Sequence, residues 1–295
     1  MTGCRRLQPA LLFLFGISDR VETFPIFSFP IPHLLYSIPY LPLSVCSLMD
    51  GIFRCSRYAF GPNRLHYCGP DANKTMKDYL DAGESDPRLL AILERFQNLY
   101  PYLSHIAEGN GIRDPFDDRV VEAYWIGNRL LDTFSPRKYL GLLDALEVKK
   151  KTGRERFDTI GQKVVRGGFP HHSFHVLNVW RETNHELLHD DDWSAVAEGV
   201  VSWGKVIAVS GPFIDVVTES LVRDEHGVFS LGSPVSRRLI RDLSADIDID
   251  LLVPGAWVSI HWGVPCETLS ERVVARLRAY THKSIDFANA YERKK

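Results

Sequence analysis

Three groups of thiols and imidazoles carry the residue types that could do chemistry in this chain. Cys55, His66 and Cys68 fall within fourteen residues. His171, His172 and His175 form a second group, and His261 with Cys266 a third. Thiolate and imidazole are ligands for soft and borderline metals, or nucleophile and base in an enzyme. Cys55 and Cys68 are not at a standard zinc spacing, and no second cysteine pair follows. They read either as metal ligands or as small buried side chains. If the segment after Pro170 is helical, His171 and His175 stand one turn apart, and His172 is three residues from His175. That places imidazoles for one metal, or leaves hydrogen-bonded histidines at a junction. The Glu of a zinc-protease H-E-x-x-H motif is missing. His185 and His189 repeat the one-turn spacing beside Glu186 and Asp190-Asp191-Asp192, as on a solvated face. Gly167-Gly168 is too short for a phosphate loop, and no nucleophile–base constellation is complete.

The elements that must position these residues change character along the chain. Cys55 to Asp71 is dense in Gly, Pro, Asn and Asp and reads as a loop, with a helix following over about 72–81. Asp86-Pro87, Asp114-Pro115 and Ser135-Pro136 each read as a helix start before an apolar run. A further helix runs from Pro101 to Gly109. Lys149-Lys150-Lys151 suits a solvated helix end. From Val200 the pattern turns β-rich: Val200–Val209, Ile214–Val222 after Gly211-Pro212, an Asp224–Gly227 hairpin turn, Val228–Leu231, Val235–Leu243 as strand or short helix, and Ala256–Trp262 after Pro254-Gly255. The expected fold is α+β: an N-terminal helical bundle, then a small C-terminal β-barrel that protects short strand edges, then a terminal helix. The expected units are an extension over 1–48, an entry loop plus helical domain over 49–198, and the barrel with its helix over 199–295.

Composition narrows the class. The 295 residues are 45% hydrophobic and 24% charged, with formal net charge −2. That balance gives no global footprint for nucleic acid or an anionic membrane. Five scattered cysteines are not a disulfide framework and read as reduced thiols of a cytoplasmic protein. Thr23 to Met49 has no charged side chain but holds five prolines, which would break a membrane helix repeatedly. Arg5-Arg6 before an apolar run imitates a signal peptide without a convincing cleavage site. Residues 1–48 read as a non-native or disordered extension, with Met49 as the start; Cys4 and Cys46 then drop out.

Gly204-Lys205-Val206, a hairpin, Gly255-x-Trp257-Val258-x-Ile260-His261-x-Gly263 and a helix from Ser270 to about Tyr291 together resemble the HypC/HupF hydrogenase-maturation chaperones. The resemblance covers about the last third of the chain. It implies an iron-carrying role for His261. The family's cysteine would fall just before Gly204, where Gly199, Val200 and Val201 stand. The whole chain also resembles an uncharacterised prokaryotic family with C-x-R-Y-A-F-x-P-N-R-L and Y-C-G-P signatures, found here at Cys55–Leu65 and Tyr67–Pro70. The function expected from these likenesses is an accessory protein in metal-centre assembly. It would hold iron or another transition metal and dock a metalloenzyme or maturation factor. Its candidate ligands are His261, Cys266, Cys55, Cys68, His66, His171, His172 and His175. One alternative is an enzyme with a Cys/His site between entry loop and helical domain. Another is a nucleic-acid-binding barrel using Trp203, Trp257, Trp262, Arg237, Arg238 and Arg241. No membrane partner is expected.

Overall fold

A computed structural model describes residues 50–184, 193–241 and 252–292. They belong to one unit, 47–295. Its first helix, α1 (Gly51–Arg64), starts where Asp50 accepts a hydrogen bond from the Ile52 amide at 3.0 Å. The loop expected from Cys55 is therefore corrected to a helix. Gly61 and Pro62 do not prevent it, because they sit in its last turn and its buried face carries Cys55, Tyr58, Ala59 and Phe60.

Helices α2 (Asn73–Ala82), α3 (Pro87–Glu94), α4 (Leu99–Gly109), α5 (Asp118–Trp125), α6 (Pro136–Ala145), α7 (Val148–Thr152) and α8 (Arg154–Val165) follow. Asp86 caps α3 as expected, accepting from the amides of Arg88 and Leu89. The expected start at Asp114-Pro115 is displaced. Asp114 caps a local turn through the Phe116 amide, and Asp117 caps α5 through Arg119. Next comes α9 (His172–His175), which runs without a break into a π-helical turn (Val176–Trp180) and α10 (Arg181–Thr183). Then α11 (Ser194–Gly199) leads into the strands.

The strands are β1 (Ser202–Ser210), β2 (Phe213–Thr218), β3 (Leu221–Arg223), β4 (Phe229–Leu231), β5 (Val235–Ile240), β6 (Trp257–His261) and β7 (Val264–Leu269). The run expected over Ile214–Val222 is two strands, parted at Glu219-Ser220. The long helix α12 (Glu271–Glu292) ends the described chain. Five strands form an antiparallel sheet in the order β5-β2-β1-β6-β7, and β3-β4 is a separate ribbon. The architecture is α+β, but the expected closed barrel is corrected to an open sheet: among the described residues no ladder joins the outer strands β5 and β7. The α1 helix packs on β6 and β7 instead. The largest apolar core draws on both sides of residue 199, from Tyr58 and Tyr124 to Trp203, Cys266 and Leu277.

The docking of α1 on β7 is polar as well as apolar. Arg54 donates to Glu267 at 2.9 Å and to Asp118 at 2.9 Å. The Tyr58 hydroxyl donates to the same Glu267 at 2.6 Å. This buried network fixes α1 in register against the end of the sheet.

Candidate functional site

Pro62 lacks an amide hydrogen, so the carbonyl four residues before it, on Tyr58, has no helical donor. His261, at the end of β6, takes that place: its Nδ1 donates to the Tyr58 oxygen at 2.7 Å. Gly61 makes the approach possible. A β-carbon there would lie 2.9 Å from the His261 oxygen and 2.9 Å from the Trp262 β-carbon. The Gly-Pro pair thus supplies both the clearance and the free acceptor. Because a carbonyl can only accept, Nδ1 of His261 carries the proton, and Nε2 of the neutral ring presents a lone pair.

A second imidazole meets that lone pair. His171 is the N-cap of α9, its Nδ1 accepting from the Ser173 amide at 3.1 Å, and this places His172 in the first turn. His172 Nε2 lies 3.1 Å from His261 Nε2 and 2.9 Å from the Gly199 oxygen. Its Nδ1 lies 3.2 Å from the Tyr124 hydroxyl, which donates to it. The Gly199 carbonyl sits in the last turn of α11, where carbonyls have no helical donor, and it lies 3.1 Å from His261 Nε2. With both rings neutral, the one hydrogen of this triangle is on His172 Nε2, and His261 Nε2 and the Gly199 oxygen both accept from it.

Burial keeps the rings neutral. It holds His172 well below the ordinary histidine range, reinforced by His261. Burial also lowers His261 to about 4, against smaller opposing bonds from Tyr58 and Gly199. His175 is lowered to about 4 by burial and then by Lys151, while its Nδ1 meets the Tyr102 hydroxyl at 2.9 Å.

The pair opens on a pocket of about 80 Å³. Its aromatic walls are Tyr67, Phe96, Tyr124, Trp125, Trp180 and Trp262. Among the described residues, no Asp, Glu, Lys or Arg lines it. His172 keeps partial exposure here, while His261 is 1% exposed. Trp125 lies 4.4 Å from His172 and 5.2 Å from His261, ring centre to ring centre. Trp262 occupies the two-residue turn between β6 and β7 with φ of 51°, a conformation that strains a bulky residue. Its ring packs on Tyr67 at 4.4 Å. Asn63 anchors the Tyr67 loop by donating to the carbonyls of Cys68 and Pro70. An outer groove with His66, Arg95 and Gln97 adjoins the pocket, the two sharing Tyr67, Cys68 and Asn98.

Of the expected ligands, His172 and His261 are in contact, and His175 and Cys68 line the same pocket. His171 is a buried cap stacked on Tyr280 at 5.2 Å, and burial lowers it to about 3. His66 is exposed in the outer groove. Cys55 is buried in α1, and burial pushes its thiol up to about 12. Burial likewise raises Cys68 to about 11. Cys266, on β7, is turned away from the pocket lining, its thiol 3.4 Å from the Val264 carbonyl. Among the described residues no three His, Cys, Asp or Glu side chains converge as a metal set. Cys4, Cys46, His185 and His189 lie outside the described residues. Trp203 is buried, and Arg237 and Arg238 pair with Glu198 and Asp215. The sequence reading missed Tyr58, Tyr124 and Gly199, and named Trp262 only for a nucleic-acid face. The usable signal was Gly61-Pro62: a proline late in a helix releases one carbonyl at a known position.

These features define a class, an α+β protein with a histidine pair in an aromatic pocket. The chain belongs to a family of unknown function (DUF6390), whose model matches residues 47–295. No curated protein and no solved structure matches it. Among the described residues no helix is long and apolar enough to cross a membrane.

Proposed function

We propose that this protein is a cytoplasmic enzyme that moves a proton on a small molecule, with His172 and His261 as its acid–base pair. The observation that carries this is the 3.1 Å contact between a ring nitrogen bearing a lone pair and one bearing a hydrogen, inside a small aromatic pocket. The pocket also joins Cys68, from the entry segment, to the histidines of α9, where a Cys/His enzyme site was expected. One substrate proton enters at His261 Nε2 as another leaves His172 Nε2. Passage of the first across the contact restores the neutral pair, so the net reaction is an isomerisation. The experiment is incubation with fractionated metabolites in deuterated water, read by mass spectrometry. A species should gain deuterium with the native chain and not with His261→Ala. No gain above the variant would overturn the reading.

A second reading is accessory work in metal-centre assembly, with a metalloenzyme or maturation factor as partner. It is favoured by the triangle of His172 Nε2, His261 Nε2 and the Gly199 oxygen, with sides of 2.9–3.1 Å. Donors at right angles on one metal, each about 2.1 Å from it, stand about 3.0 Å apart. The outer bond of His261, its Nδ1 donating to the Tyr58 carbonyl, suits a metal-bound histidine. The likeness of Val258–Gly263 to hydrogenase-maturation chaperones points the same way. This reading ranks second because, among the described residues, no anionic side chain lines the pocket to balance a divalent ion. Metal analysis of the purified chain decides it: iron, nickel or zinc no higher than in His172→Ala would end it.

A further inference from the structure

We infer that the pocket selects a small, flat, uncharged ring compound that both accepts and donates a hydrogen bond, such as an azole or a phenol. The inference deepens the acid–base reading by naming the substrate class of the same site. Three observations carry it.

The first is charge. Among the described residues, the outer groove holds Arg95, while the inner lining holds no Asp, Glu, Lys or Arg. An ion moving inward would lose its hydration with no counter-charge to replace it. The histidines do not supply one, since burial keeps His172 and His261 neutral.

The second is size and shape. A water needs roughly 10–15 Å³ of such space. The pocket's volume of about 80 Å³ therefore suits about six heavy atoms, a five- or six-membered ring. Its walls are aromatic faces, which favour a flat partner by offset or edge-on stacking. Tyr67 and Trp262 form the outer wall, and Tyr67 is 48% exposed, so it can swing aside to admit a ring.

The third is the polar end. His261 Nε2 offers a lone pair and His172 Nε2 a hydrogen, side by side. A ligand with one donor and one acceptor satisfies both. A ring without either leaves them paired only with each other and with Gly199, so it gains only from stacking.

The test uses the full chain after chelator treatment, with ligand-observed NMR at neutral pH. Pyrazole and phenol should bind saturably. Benzoate and benzylammonium, similar in breadth but charged, should bind at least about tenfold more weakly. Tyr67→Ala, a change at the exposed mouth that spares the core, should weaken pyrazole by roughly tenfold. Equal binding of the charged probes, or no saturable binding of either neutral one, would overturn the inference. The two readings fail separately. Binding of pyrazole without any deuterium transfer sinks the acid–base function alone; deuterium transfer to a charged substrate sinks the neutral-ring inference alone.

Discussion

An alanine in place of Pro62 would supply the amide that the Tyr58 carbonyl lacks. That amide competes with His261 Nδ1 for the acceptor it now holds at 2.7 Å. Pro62→Ala should keep the fold, because a proline within a helix is a cost and not a support. Nitrogen NMR of the His261 ring should then show Nδ1 losing its proton population to Nε2. An unchanged tautomer would mean that Pro62 plays no part in orienting the ring. Gly61→Ala tests the clearance. Its β-carbon would meet the His261–Trp262 backbone and Trp262 β-carbon at 2.9 Å, and overpacking of this kind costs about 1–3 kcal/mol. Chemical denaturation measures it. Trp262 permits a cleaner comparison. Glycine and alanine at 262 lose the same ring, so their difference isolates the backbone at φ 51°. The glycine variant should be the more stable by about 1–2 kcal/mol. Equal stabilities would place the residue in an unstrained conformation.

Two elements decide where the histidines meet. The first is α1, held on β7 by Arg54, Glu267 and Tyr58. Arg54→Ala leaves Glu267 buried without its cation and should cost roughly 3–5 kcal/mol in a urea titration. Replacing both members, as Arg54→Met with Glu267→Leu, should recover a large part of that loss; no recovery would show that the pair contributes more than its burial costs. The second element is the π-helical turn after α9. In a regular helix, positions 172, 175, 176 and 179 share a face. The wider turn over Val176–Trp180 carries one extra residue, so Trp180, and not the core residue Val179, joins His172, His175 and Val176 at the pocket. Asn178 ties this turn to its neighbours, accepting from Lys163 at 3.0 Å and donating to the Ser284 carbonyl at 3.1 Å.

At the scale of the whole molecule, three buried histidines and the partly buried His172 couple folding to pH. His171, His175 and His261 titrate at about 3, 4 and 4 when folded, and His172 lies well below its ordinary range. In the unfolded chain they titrate near 6.5. Between those limits the unfolded chain binds more protons, so stability rises with pH. Stability should be full above about pH 6.5 and fall progressively toward pH 4. Calorimetry in buffers of different ionisation heat should record uptake of several protons on unfolding at pH 5. A melting temperature flat from pH 7 to pH 5 would contradict the neutral, buried histidines described above. The same burial leaves the acid–base pair neutral across the physiological range, as a substrate without charge requires.

Capping and turn chemistry act within a few residues, and those parts were legible in the sequence. Asp86-Pro87 starts α3, Ser135-Pro136 starts α6, and Asp224–Gly227 turns β3 into β4 as read. His172 was a candidate ligand from its spacing to His175, and His261 from its place in the chaperone-like strand. Their partnership was not legible, because 89 residues separate them and each had nearer thiols or imidazoles to suggest a different match. The entry helix was misread because Gly61 and Pro62 were weighed as local breakers, while burial of Tyr58 and Phe60 against the rest of the core outweighs two unfavourable residues in a final turn. The open sheet was decided at the same level: α1 lies on β6 and β7, and β7 forms no ladder with β5. The sequence by itself determined caps and turns such as Asp86-Pro87 and Asp224–Gly227, and which side chains could do chemistry. Only the tertiary structure decided which of those side chains face one another, because packing α1 against the sheet brings the Tyr58 carbonyl to His261, and His261 to His172.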